Sequence, residues 1–365
     1  MIRPAPAIEA IPPTTPFIGP EQLMRDSGLS ELVRLGANES AFGPSPKAVE
    51  VMAAALPHLW WYGDPESYEL REALAAKHDC SIEQIVVGSG IDDLMGLAVR
   101  AFVPPGGRAL TTAGSYPTFN YHVTGYGGAL SFAPYRDDGT VDLDALVEIA
   151  RRERPQVLYL ANPDNPSGSF AARARVQAFY EALPHDTLLF LDEAYGDFVD
   201  PGDILPAHLE DRLVRTRTFS KAYGMAGARI GYAISSERNV QTFQKIRLHY
   251  GVNRNAQVGA LASLADPAFH ASVVRETAVA REAYYALGTE LGVPTLPSLT
   301  NFVLFDCGSV ARANRVMAEL LKRGVWIRKP AVAPLDRYVR VSAGTAPMRA
   351  AFAQALRDVL AQVPV

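Results

Sequence analysis

Lys221 lies in the run TFSKAYGMAGARIG, residues 218–231, with Thr218 and Ser220 just before it and Arg229 further on. That grouping is chemistry for holding an aldehyde and a phosphate side by side. A lysine amine condenses with a carbonyl carbon, and it does so best when burial or neighbouring positive charge lowers its pKa. Arg229 stays protonated and offers paired N–H donors suited to a dianionic phosphate. Taken alone, the run fits a glycine-rich loop with an exposed lysine equally well.

Three other stretches add to it. In VVGSGIDD, an apolar run ends in Gly88-Ser89-Gly90, and Ile91 and Asp92 open the next segment. Free N–H groups at a helix start there would favour a phosphate, although GSG is also an ordinary tight turn and lacks the GxGxxG dinucleotide fingerprint. In ANPDNPSGS, residues 161–169, two Asn-Pro pairs force a bent, extended backbone, and the Asn165 amide is the group able to point back into a site. In LLFLDEAYGDF, an apolar run ends in Asp192 and Glu193, with Tyr195 beyond. A carboxylate at a buried strand tip is costly unless it caps a turn or meets a cation. An ionised Asp192 would hold a ring nitrogen protonated. Amine, carboxylate, phenol, amide and phosphate cradle together match the needs of pyridoxal 5'-phosphate, whose ring acts as an electron sink.

The elements that must position these groups alternate short apolar strands with helices, the pattern of an α/β sheet covered on both faces. Strands are expected at 85–87, 109–112, 130–133, 157–160, 188–191, 213–218 and 230–234, and helices at 91–102, 143–152, 172–183 and 237–248. The four chemical stretches then fall at strand carboxyl ends, where ligands of such sheets bind. Before the sheet, helices are expected near 21–26 and 47–56. After it come one long helical stretch, 256–290, strands at 301–305, 325–328 and 338–341, and helices at 312–321 and 346–360. The expected division is an N-terminal arm, 1–40, joined to a small α+β domain, 249–365, and a large domain, 41–248, with a mostly parallel seven-stranded sheet. Six prolines in the first twenty residues predict an extended arm.

The chain has 365 residues, 48% of them hydrophobic, and a net charge of −4, which gives nucleic acid and anionic membranes nothing to attract in bulk. No apolar run reaches the ~20 residues of a membrane span, so small-molecule partners and a cytoplasmic location are expected. Cys80 and Cys307, the only cysteines, have neither metal-ligand nor redox spacing.

From residue 17 to 349 the sequence resembles the fold-type I pyridoxal-phosphate aminotransferases, in their histidinol-phosphate aminotransferase-like branch. The resemblance rests on GANES, YGDP, GSGIDD, SYPTF, NPDNPSG, DEAYGDF, TFSKAYGMAGARIGY, NFVLF, IRKP and YVRVSAGT, in that order. It implies an aspartate aminotransferase-like fold, with Lys221 as the cofactor-linking lysine and Asp192 as the partner of the ring nitrogen. It further implies Tyr195 and Asn165 at the ring's phenolic oxygen and Tyr116 stacked on the ring. The phosphate would lie on Gly90, Ile91, Asp92, Thr218, Ser220 and Arg229, with Tyr62 supplied by the other subunit of a homodimer. Arg340 would bind the substrate carboxylate, Arg328 a second acidic group, and Asn38 would lie in a loop closing near the substrate.

Phe17 stands where the branch often has a phosphate-binding tyrosine, Ser40-Ala41 replace its usual Asn-Pro, and Trp60-Trp61 enlarge the aromatic surface beside Tyr62. An apolar entrance there would make an aromatic or other bulky amino acid at least comparable with histidinol phosphate as donor. Two rivals share the fold: a decarboxylase of a phosphorylated amino acid, and an inert cofactor-binding regulatory module.

Overall fold

The computed structural model describes residues 2–11, 18–206 and 211–362, so Phe17 lies outside the described residues. Among these, the strands are β1 (Val33–Arg34), β2 (Ile85–Gly88), β3 (Arg108–Thr112), β4 (Ala129–Ala133), β5 (Val157–Ala161), β6 (Leu188–Asp192), β7 (Leu213–Thr218), β8 (Gly231–Ser235), β9 (Thr295–Leu296), β10 (Phe302–Asp306), β11 (Val325–Trp326) and β12 (Tyr338–Ser342).

The runs VLYLA and LLFLD are buried along their whole length, as strands covered on both faces must be. Alternation divides them: Val157 and Tyr159 join one core with Leu94, Phe119 and Phe190, while Leu158 and Leu160 join the opposite core with Leu146, Phe179 and Leu189. The seven-stranded sheet runs β2-β8-β7-β6-β5-β3-β4. Only β8 is antiparallel to its neighbours, so Gly88, Ala161, Asp192 and Thr218 end at one edge. Loops from that edge carry the site.

Beyond it, β12-β10-β9 form an antiparallel sheet, and β1 pairs in parallel with β11. Leu35, Val303, Phe305, Leu320, Val341 and Phe352 build the core there. No helix among the described residues is long and apolar enough to cross a membrane.

Four expectations need correction. The stretch 256–290 is two helices, Arg254–Leu264 and Pro267–Leu291, because Pro267 has no N–H to continue the first and instead takes the first turn of the second. The helix expected over 237–248 ends at Gln244, where Lys245 and Ile246 tighten into i to i−3 bonds. The arm is not wholly extended: Pro6–Glu9 make one helical turn, again with proline at its start. The strand expected over 325–328 stops at Trp326, and Arg328 returns as an isolated antiparallel bridge to Arg340. Helices Tyr68–His78 and Thr118–Gly125 were not foreseen; burial of Leu70 and Leu74, and of Phe119 and Val123, sustains them.

Candidate active site

Asp192 closes β6 with its carboxylate buried and bonded at both oxygens. The Ala194 N–H donates to Oδ1 at 2.9 Å and the Tyr159 hydroxyl to Oδ2 at 2.7 Å. Burial pushes the Asp192 carboxyl up to about 6, against the pull of those donors. Lys221 keeps one side open to a cavity and donates to the Asn38 carbonyl at 3.0 Å. Burial, helped by the positive charge of Arg340, brings its amine down to about 8, so a useful share is uncharged near neutrality. This is the activated amine that the residue types alone left open.

That cavity, of about 250 Å³, gathers most of the groups singled out from the sequence. Ile91, Asp92, Tyr116, Asn165, Asp192, Tyr195, Thr218, Ser220, Lys221 and Arg229 all line it. At one end the helix Ile91–Phe102 begins with no side-chain cap after Gly90, leaving its first N–H groups for a ligand. The Ser220 N–H donates to Thr218 Oγ1 at 3.0 Å, and the Thr218 hydroxyl to Ser220 Oγ at 2.9 Å, which packs two hydroxyls together. Arg229 reaches Asp92 at 3.2 Å. Gly90 has φ +87°, and a Cβ there would stand 2.6 Å from Arg229 Nη2, so glycine keeps this end open.

Arg340 and Arg328 do not line the cavity themselves; Arg340 adjoins it through Asn165. Arg340 Nη1 donates to Asn165 Oδ1 at 2.5 Å and Nη2 to the Gly36 carbonyl at 3.2 Å. Burial draws the Arg340 guanidinium down to about 10, which leaves it cationic at neutral pH. Arg328, on the backbone bridged to it, donates to the Ile18 carbonyl at 2.9 Å and lies over the Trp326 ring. Burial raises the Tyr195 phenol to about 12, so it is a protonated donor.

Asn38, Tyr62, Trp60 and Trp61 also lie off the cavity lining. Asn38 is buried at φ +54°, with Ala37 and Glu39 lining the cavity on either side of it; its own amide donates to Tyr195 Oη at 3.0 Å. Tyr62 is 75% exposed, lies tilted against Tyr250 and does not line the cavity of its own chain. Trp60 and Trp61 pack edge to face on one another, with Trp61 on His58, also away from the cavity. Sequence reasoning missed Tyr159, whose apolar strand offers no polar signal except the tyrosine itself. It also missed Ser342 and Asn301, which reach Asn38 from the end of β12 and the start of β10.

The donor set fits a phosphorylated pyridine aldehyde: an activated amine, a buried carboxylate, and a cradle that a Cβ at Gly90 would fill. The family model for aminotransferase class I and II matches residues 30–356. The chain belongs to that family. This aminotransferase is 36% identical to histidinol-phosphate aminotransferase 1 of Thiobacillus denitrificans, over 98% of this chain and 94% of that protein. It is 34% identical to the histidinol-phosphate aminotransferase of Granulibacter bethesdensis, over 99% of this chain and 97% of that one. The crystal structure of histidinol-phosphate aminotransferase from Sinorhizobium meliloti in complex with pyridoxal-5'-phosphate superposes with a TM-score of 0.96 at 41% identity, covering 100% of this chain and 99% of that chain. The aminotransferase therefore has the fold-type I architecture, works with pyridoxal 5'-phosphate and is a transaminase of the histidinol-phosphate aminotransferase-like branch.

Proposed function

We infer that the aminotransferase moves an amino group from histidinol phosphate to a 2-oxo acid, with one site serving both. The observation carrying this reading is the paired placement of Arg340 and Arg328, bridged backbone to backbone beside the wall that holds Asn165. Two adjacent guanidiniums suit a phosphate on the donor and a carboxylate on the acceptor. The relatives named for histidinol phosphate support the same donor. The aromatic reading rests on Phe17, outside the described residues, and on Trp60 and Trp61, which do not line the cavity of their own chain.

Pyridoxal phosphate, when bound, supplies a ring that stores the electron pair left as the donor's α-carbon loses its proton. Asp192, ionised, would keep the ring nitrogen protonated. Thr218, Ser220, Arg229 and the N–H groups after Gly90 would hold the phosphate, Tyr116 would cover one ring face, and Tyr195 and Asn165 would meet the phenolic oxygen. Lys221 Nζ takes the α-proton and returns it elsewhere, a role that typically contributes ~10²–10⁴-fold in rate. Arg340 fixes the acidic group so that the α-carbon faces that amine.

We also read the protein as a cytoplasmic homodimer with shared sites, and its chain as an arm, 1–40, a large domain, 41–248, and a small domain, 249–365. The exposed aromatic face of Trp60, Tyr62 and Tyr250 supports the dimer, the unpaired Cys80 and Cys307 a reducing compartment, and the pairing of β1 with β11 the union of arm and small domain.

Steady-state kinetics with 2-oxoglutarate and either histidinol phosphate or phenylalanine test the substrate. Two charge-assisted bonds to the phosphate predict a preference of roughly a hundredfold or more for histidinol phosphate. Comparable values would favour the aromatic reading, and carbon dioxide release without an acceptor would overturn amino transfer.

A further inference from the structure

The geometry points to Asn38 and Ser342 as a positioning pair that sets the direction of the Tyr195 proton. Tyr195 Oη accepts from Asn38 Nδ2 at 3.0 Å. A phenol that accepts from one side must aim its own proton elsewhere, and the Tyr195 side chain borders the cavity. With the amide of Asn38 reversed, its oxygen would take the Tyr195 proton and the phenol would present only a lone pair to the cavity.

Ser342 decides which way the amide points. Its Oγ accepts the Asn38 backbone N–H at 3.0 Å, so the serine proton needs an acceptor of its own, and Asn38 Oδ1 lies at 3.1 Å. Reversal would set an NH₂ group against that hydroxyl and leave the serine proton without an acceptor among the described residues. All three groups are buried, where an unmade bond is costly. Ser342 is itself fixed: its N–H donates to the Leu35 carbonyl and its carbonyl accepts from the Tyr284 hydroxyl, both at 2.9 Å. Asn38 adds a second contact to the machinery, since its carbonyl accepts from Lys221 Nζ and from Asn301 Nδ2, each at 3.0 Å. The left-handed backbone at Asn38 is one that asparagine and aspartate tolerate better than other side chains.

This inference rests on the reading of Tyr195 as the donor to the cofactor's phenolic oxygen. The test uses the holoenzyme and follows the pH midpoint of the visible absorbance change of the bound cofactor. Losing a donor to an ionised oxygen raises that midpoint, by about one unit for a tenfold change in the proton equilibrium. Ser342→Ala, which is uncharged and does not touch the cavity, is expected to raise it by about that much and to lower kcat more than it changes KM. Ser342→Thr, which keeps the hydroxyl, should retain the wild-type midpoint. Asn38→Asp, which cannot donate, should also raise it, and neither change should add to Tyr195→Phe in the double variants. An unchanged midpoint in folded Ser342→Ala and Asn38→Asp, alongside a raised one in Tyr195→Phe, would overturn the pair's role alone. A shift in Asn38→Asp that persists undiminished on the Tyr195→Phe background would overturn it too, as the mark of added charge. An unchanged midpoint in Tyr195→Phe would sink the underlying reading and this inference with it.

Discussion

The Tyr159 hydroxyl donates to Asp192 Oδ2 at 2.7 Å, with both side chains buried and the tyrosine ring stacked between Phe119 and Phe190. The bond favours the ionised carboxylate, the form that can hold a ring nitrogen protonated. Tyr159→Phe keeps the stacking and removes the donor, so the Asp192 carboxyl should rise further above about 6. A hydrogen bond to a charged group contributes roughly 1.5–3 kcal/mol, which corresponds to about one to two pH units. The acid limb of the kcat/KM profile should move up accordingly, with the circular dichroism spectrum unchanged. Asp192→Asn should lose activity altogether while still binding cofactor through the phosphate cradle.

Lys221→Met should abolish turnover and stabilise the apoprotein near neutrality. In the fold the Lys221 amine is lowered from 10.5 to about 8, so burying its charged form opposes folding. That penalty is complete below the folded value, shrinks as pH rises through it, and is gone above the unfolded value. Urea unfolding at pH 7 should show a gain of roughly 1–3 kcal/mol, less what the lost bond to the Asn38 carbonyl contributes. By pH 10.5 the gain should vanish; a constant difference across that window would show that the amine is not desolvated.

Tyr62 is far too exposed to serve its own cavity, which makes subunit sharing testable by mixing. Tyr62→Ala and Lys221→Met should each be nearly inactive. Refolded together at equal amounts, they should recover roughly one quarter of wild-type activity, because half the dimers are mixed and one site in each is complete. No recovery, despite mixed dimers detected by native mass spectrometry, would place Tyr62 outside the site.

The cofactor end of the site was legible because each of its residues follows a recognisable break in an apolar run. Asp192 ends LLFLD, Gly90 ends the turn after β2, and Lys221 follows the strand that closes at Thr218. The sheet was legible for the same reason, since doubly covered strands read as continuous apolar runs. What supports those groups was not legible. Tyr159 looks like any core aromatic until β5 and β6 are paired and the register sets Tyr159 beside Phe190, two residues from Asp192. Ser342 lies 304 residues from Asn38, and no local pattern announces a contact at that separation. The break at Pro267 was visible as a proline, but apolar periodicity on both sides masked it.

Behind the site, Arg217 and Asp197 form a buried pair at 2.9 Å, with Glu193 at 3.7 Å from the same guanidinium and itself held twice by Arg215. Arg217 precedes Thr218 and Asp197 follows Tyr195, so the pair ties together the ends of β7 and β6 that carry the site. Burial would raise the Asp197 carboxyl, yet Arg217 holds it well below the usual carboxylate range. Such a group contributes stability above its unfolded value of 3.8 and loses it as pH falls through the lower folded value. Arg217→Met leaves the buried carboxylate with only His270, at 3.4 Å, and the more distant Lys77 beside it, and breaking a buried pair this way costs up to about 3–5 kcal/mol in urea unfolding at pH 7. Near pH 4 the variant's Asp197 takes up a proton and the deficit should shrink. Replacing both partners, Arg217→Met with Asp197→Leu, should recover much of the stability while leaving catalysis impaired, because the strand ends lose their tie. A deficit below about 1 kcal/mol at pH 7 in the single variant would show that water already reaches this pair.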